Sequence, residues 1–301
     1  MAVATLTGRQ ILAERLIARP VLAVKVDNAP AARPQVGLEL ADIVFEELVE
    51  GGVTRFVALF HSTDPGVVGP VRSGRDVDAA LLPPFQAVFG ISGAAGPVYG
   101  TLRAAGLTIF EEGQAGGAFF RDPERPAPHN LMATAVRLWE AGAALPPATT
   151  PWVFEQHSLT GGQPAAVVRL AFSQETSAVW SWDLVDQAWQ REQNGSPHDV
   201  ASGDQAAAEN IVVVRVAVGR GGGVDVRGNP TATIQVVGEG EATVFRNGTA
   251  FTAAWRKRSV DSQFEWLRLD GSPLPLAPGR TWVELLPSGG LLEIEAEPPA
   301  D

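Results

Sequence analysis

The chain contains no cysteine, which excludes a disulfide framework, a thiolate zinc site, an iron–sulfur cluster and a cysteine nucleophile together. Lysine is nearly absent: only Lys25 and Lys257 occur among 23 basic residues, so almost every cation is a guanidinium. Arginine suits bidentate recognition of phosphate or carboxylate. No apolar run approaches the ~20 residues of a membrane-spanning helix. The first twenty residues, with Glu14 among scattered arginines, lack the basic start and apolar middle of a signal peptide. Basic groups are also outnumbered, 23 to 34, for a net charge of -11. Long-range attraction to a polyanion needs the opposite sign, so nucleic acid and anionic lipid are not the main partners, and any anion site is local.

What remains is a foldable chain. Its 301 residues are 45% hydrophobic and 19% charged, enough for folding to bury roughly 75% of the unfolded surface. The length favours two domains. Residues 143–151, with three prolines and no apolar period, read as a linker. The predicted domains are therefore 1–150 and 151–301. The first half carries 12 basic and 15 acidic groups and the second 11 and 19, so the acid excess lies mostly in the second.

In the first half, β-like runs at 21–26, 43–48, 53–60 and 87–91 alternate with helical composition at 76–82, 98–105 and 131–141. That mixture predicts an α+β or mixed α/β domain. Gly51-Gly52 marks an antiparallel hairpin. The second half holds seven short apolar runs, at 166–172, 178–184, 211–218, 231–237, 242–246, 264–269 and 281–286. Turn signals at Asn194-Gly195, Asn247-Gly248 and Asp270-Gly271 separate several of them. This half is predicted to be all-β, a sandwich or small barrel.

Four clusters carry chemistry. In Gly69-Pro70-Val71-Arg72-Ser73-Gly74-Arg75-Asp76, the Ser73/Asp76 spacing is that of a helix cap, and Arg72 and Arg75 at a helix start could clamp an anion. Arg33, with Asp42, Glu46, Glu47, Glu50 and Arg55, forms a second cluster. On a strand Glu46 and Glu50 share one face and Glu47 takes the other, with Arg55 across the hairpin either their structural partner or part of an anion site beside a general base. Third, Arg121-Asp122 precedes His129-Asn130, where Asn130 reads as a helix cap and His129 as a structural hydrogen bonder or a proton-transfer group. Fourth, Gly90-Ile91-Ser92-Gly93-Ala94 nearly matches Gly-x-Ser-x-Gly, and Ser92, Asp122 and His129 follow a hydrolase triad order, though the motif is broken. It matches no nucleotide-binding loop. No cofactor is predicted, and no metal ligand set. Seven of eight tryptophans lie from Trp152 to Trp282, either β-core or, for two or three of them, a stacking platform for sugars. The loop 190–198 reads as a polar hairpin facing the first domain.

These segments resemble the YerB-like family, bacterial lipoproteins carrying a domain of unknown function, DUF3048. The matching residues include Arg33-Pro34-Gln35-x-Gly37, Ala41-Asp42-Ile43-Val44-Phe45-Glu46, Glu50-Gly51-Gly52-x-Thr54-Arg55-Phe56, the segment from Gly69 to Asp76 and Pro128-His129-Asn130-Leu131. Weaker matches are Arg191-x-x-Asn194-Gly195-x-Pro197-His198 and Pro278-Gly279-x-Thr281-Trp282. The resemblance implies an extracytoplasmic, cell-envelope location, reached through a signal or lipid anchor that the given chain lacks. It implies no reaction.

The leading expectation is an anion site in the first domain for phosphate, pyrophosphate or carboxylate, built from Arg33, Arg55, Arg72, Ser73, Arg75, Arg121 and Asn130. Glu46, Asp76 and His129 would be its catalytic groups, and cell-wall precursors or anionic glycans its partners. Two alternatives stand beside it. One is a non-catalytic glycan- or protein-binding module with a structural arginine–carboxylate network. The other is a hydrolase using Ser92 or a carboxylate-bound metal.

Overall fold

The computed structural model describes residues 2–12, 18–224 and 230–297. One long mixed sheet crosses it. Its order is Gln163–Pro164, Thr249–Lys257, Gly238–Arg246, Asn210–Val224, Thr281–Pro287, Ile43–Leu48, Thr54–Phe60, Leu22–Asp27, Val88–Gly90 and Thr108–Phe110. Thr281–Pro287 lies parallel to Asn210–Val224 on one side and to Ile43–Leu48 on the other. A strand from near the end of the chain thus joins the two halves in one hydrogen-bonded layer.

A second, antiparallel sheet contains Val167–Ala171, Ser177–Asp183, Ala188–Gln193 and Leu291–Glu295. It lays Val168, Leu170, Trp180 and Trp189 over Phe56, Phe245 and Trp282 of the long sheet. The opposite face of the long sheet packs Val57, Leu59 and Phe89 against Leu81, Val98 and Leu102, and further along against Trp152, Phe264 and Trp266. With both faces covered, Ile43–Leu48 reads as a continuous buried run. Side chains alternate along it, so Val44 and Glu46 face the second sheet while Phe45 and Glu47 face the helices.

The fold is sheet-rich and two-domain, and the first half is not clearly the mixed α/β domain expected. Its helices, Asp78–Leu81, Gly96–Ala104 and Ala135–Ala141, are short and few beside the strands they cover. The predicted helix at 131–141 splits. Leu131–Thr134 is a strand paired with Val67–Val68 and Phe119–Arg121, and only Ala135–Ala141 is helical. Asn130 therefore does not cap a helix; Thr134 precedes the helix instead. The hairpin forms as the glycines predict. Ile43–Leu48 pairs antiparallel with Thr54–Phe60, and Gly51 and Gly52 take φ of 72° and 75°, left-handed values that glycine adopts without a Cβ clash. In the second half each expected run falls on a strand, but those strands are shared between the two sheets rather than closed into a sandwich or barrel of their own.

Candidate anion site

Leu22–Asp27, Val88–Gly90 and Thr108–Phe110 are parallel to one another, so their carboxyl ends, Asp27, Ile91-Ser92 and Glu111, share one edge of the sheet. Thr54–Phe60 runs the other way and brings its start, Arg55, to the same edge directly opposite Asp27. Here the sheet forks. Beyond the end of Val88–Gly90, the segment from Pro70 to Gly74 enters beside Asp27, with the Asp27 N–H donating to Pro70 O and the Arg72 N–H to Lys25 O. On its other side the Ser92 N–H donates to Arg72 O and the Gly74 N–H to Gly93 O. Gly69 lets this segment approach its neighbour, since a Cβ there would lie 2.6 Å from Met132 Sδ and 3.0 Å from Leu131 O. A crevice at the carboxyl ends of parallel strands, where a sheet divides, is a recurrent binding position.

The arginines at this fork are not equivalent. Arg72 Nε lies 3.0 Å from Asp27 Oδ2, an ion pair without hydrogen-bond alignment. Arg75 donates through Nε and Nη2 to Glu50 Oε2, at 3.0 and 2.6 Å. Arg55, only 8% exposed, donates Nη1 to Ser73 O at 3.0 Å and makes no ion pair with any described residue. Burial, then the Arg75 and Arg72 charges, lower its pKa from 12.5 to about 10. A buried guanidinium lacking its own carboxylate is costly, and its location next to two more cations concentrates positive potential. The Ser73 and Ser92 hydroxyls meet at 3.3 Å beside it.

His129 reaches over from the loop before Leu131. Its Nδ1 lies 2.6 Å from Asp27 Oδ2 and its side chain is 17% exposed. Asp27 is thus the acid that holds the histidine. The expected triad is not assembled: Asp122 pairs with Arg125 instead, and the polar partner of Ser92 Oγ is Ser73.

Other predicted residues lie elsewhere. Arg121 pairs with Glu112 and donates to Asn130 Oδ1 at 2.9 Å, all on the exposed rim. Arg33 donates weakly to Asn28 O at 3.5 Å, and its Nε is buried without a partner. It lies in reach of Arg191, Glu46 and Asp27, and burial lowers its pKa. Asp42 sits at the far end of its strand, accepting from the His61 and Ser62 N–H groups. Ser73 and Asp76 make no capping box; the Asp78 carboxylate accepts the Arg75 N–H at 2.7 Å, and the side chain of Asp76 has no polar partner among the described residues. Glu50 lies in the turn after the strand, and it takes Arg75 as partner rather than Arg55.

Glu46 is fully buried. It accepts from Arg191 Nη2 and Thr54 Oγ1, each at 2.6 Å. Arg191 Nη1 also reaches Gln193 Oε1 at 2.8 Å and His198 Nδ1 at 2.6 Å, and His198 Nε2 reaches Gln35 Oε1 at 2.9 Å. Glu284 accepts from Trp180 Nε1 at 2.8 Å, and burial with the nearby Glu46 charge pushes its pKa well up. The polar loop at 190–198 does face the first half, but as a strand with buried Arg191 and Gln193 rather than an open loop. On the sheet's other face Lys25 binds Glu47 and, at 2.8 Å, Asp78, all without exposure. Six of the seven tryptophans from Trp152 onward are buried, and Trp182 is half-buried against Trp189, so no exposed tryptophan platform is present among them. No group of three or more His, Asp or Glu among the described residues is placed to share a metal ion.

Residues 6–147 match the family described as "Protein of unknown function (DUF3048) N-terminal domain", and residues 168–283 match its C-terminal domain. Over 294 residues the chain is 30% identical to "Putative lipoprotein YerB" of Bacillus subtilis (strain 168), covering 94% of this chain and 86% of that one. A crystal structure of the YerB protein from Bacillus subtilis superposes with a TM-score of 0.84 at 27% identity, covering 97% of this chain and all of the other. On both domains, and over nearly its whole length, the chain belongs to the YerB-like DUF3048 family.

Proposed function

We propose that the forked sheet edge binds a small anionic group, phosphate, pyrophosphate or carboxylate, presented by a cell-wall precursor or anionic glycan in the extracytoplasmic envelope. The observation that carries this reading is Arg55, a buried guanidinium that feels the Arg75 and Arg72 charges and makes no ion pair with any described residue, Asp27 and Glu50 acting on it only from a distance. An incoming anion supplies the missing countercharge. The Ser73 and Ser92 hydroxyls are neutral donors at the same place. The lipoprotein name of the Bacillus subtilis relative supports the envelope location.

Thermal unfolding with added inorganic phosphate or pyrophosphate tests it. At about 100 times the dissociation constant a ligand adds about 2.7 kcal/mol of stability, which for a chain of this size raises Tm by several degrees, on the order of 5 °C. Arg55→Met should lose that rise, and Arg121→Ala, with its charge already spent on Glu112, should keep it. Equal rises in wild type and Arg55→Met would remove the site.

A further inference from the structure

We propose that the site, if it binds anions as above, is a phosphodiesterase centre in which His129 is the general base and Asp27 its positioning residue. The inference rests on the anion-binding reading and adds to it a reaction and a substrate class. Its basis is the open side of the histidine. With Nδ1 against the Asp27 carboxylate at 2.6 Å, the neutral ring carries its proton on Nδ1 and presents the Nε2 lone pair. Nε2 has no partner among the described residues and is not sealed from solvent. Asp27 is itself fixed, by the Ala29 N–H on Oδ1 at 3.1 Å and by Arg72 against Oδ2. A carboxylate that orients an imidazole and stabilises the imidazolium is the established way to make histidine an effective base.

The charge balance selects the substrate. Among the side chains at the fork that keep some exposure, Arg55, Arg72 and Arg75 stand against Asp27 and Glu50, three cations to two anions; Arg33 reaches Asp27 as well but shares the inner network of Arg191 and Glu46, and Lys25, Glu47 and Asp78 are sealed from solvent. One positive charge is in excess, which complements the monoanion of a phosphodiester. A carboxylic ester brings no charge to be drawn in, and a phosphomonoester dianion is matched less closely than the diester monoanion. In the reaction a water oxygen attacks phosphorus, its proton passes to His129 Nε2, and the bond from phosphorus to the leaving ester oxygen breaks. The departing alkoxide takes the proton back from Nε2, giving a phosphomonoester and an alcohol. As the attack adds negative charge to the phosphoryl oxygens, the imidazolium adds positive charge beside them, and Arg55 and Arg72 are already in place.

The test is hydrolysis of bis(4-nitrophenyl) phosphate by the full chain, with 4-nitrophenyl phosphate and 4-nitrophenyl acetate in parallel. Wild type should favour the diester. His129→Ala should lower kcat on the order of 100-fold or more with KM changed less than about threefold, and added imidazole should restore part of the rate, which a structural role for His129 would not produce. Asp27→Asn should lower kcat on the order of 10-fold with KM retained; Asp27→Glu should recover part of it, and the Tm of each variant reports folding. Arg55-dependent phosphate binding without diester turnover overturns this inference and leaves the binding site standing. Absence of both overturns both. Turnover that survives His129→Ala, or a faster monoester, also overturns it.

Discussion

Arg191→Met is expected to destabilise the protein by about 3–5 kcal/mol, the cost of removing one partner from a sealed ion pair. Arg191 and Glu46 are both without exposure, and the guanidinium also serves Gln193 and His198 and lies 5.0 Å from the centre of the Trp282 ring. Its loss leaves Glu46 charged beside Glu284, whose cross-strand register is direct. Water cannot compensate, because Trp180, Trp282 and Phe56 close over the group. Urea unfolding should show a lower midpoint at unchanged slope. Adding Glu46→Gln to Arg191→Met should recover part of the loss, since the stranded charge is then gone. A single-variant loss under about 1 kcal/mol would show that the pair behaves as though solvated.

Lys25→Met should cost about as much, again about 3–5 kcal/mol, because one ammonium is the ion-pair partner of both Glu47 and Asp78. The same triad shapes the pH dependence. Burial, reinforced by Asp78 and opposed by Lys25, raises the Glu47 pKa from 4.5 to about 7. The unfolded chain therefore gives up this proton first as pH rises, and between those values the folded state binds more protons. Stability from this group is full below pH 4.5, declines as pH rises toward 7 and levels off above it. His198, whose pKa burial and Arg191 lower, contributes with the opposite slope, so the informative quantity is the difference between wild type and Glu47→Gln. That difference should fall across the window. A flat difference would mean that Glu47 ionises alike in both states.

The hairpin was legible because short apolar runs and paired glycines are local signals, and the arginines at the fork because no apolar pattern accounts for them. What hid was decided by distant partners. The stripe of Leu131, Ala135, Leu138 and Ala141 fits a helix, yet pairing to Val67–Val68 and Phe119–Arg121 makes its first turn a strand. Residues 190–198 looked like a polar loop because the acid that justifies burying Arg191 is 145 residues away. Asp27 drew no attention at the end of an apolar run. An acid at the carboxyl end of a buried strand was the signal available, and its meaning depended on Arg72 and His129 arriving from other parts of the chain.

The placement of Thr281–Pro287 between strands from both halves governs the order in which the molecule can be made. While the chain is being synthesised, the strand that flanks Ile43–Leu48 leaves the ribosome long after it, so the nascent first half holds an unsatisfied backbone edge until that distant strand arrives. Closing such a sequence-distant pairing is slow and leaves that edge open to other chains meanwhile; a cell making this protein quickly would need a holdase to shield it.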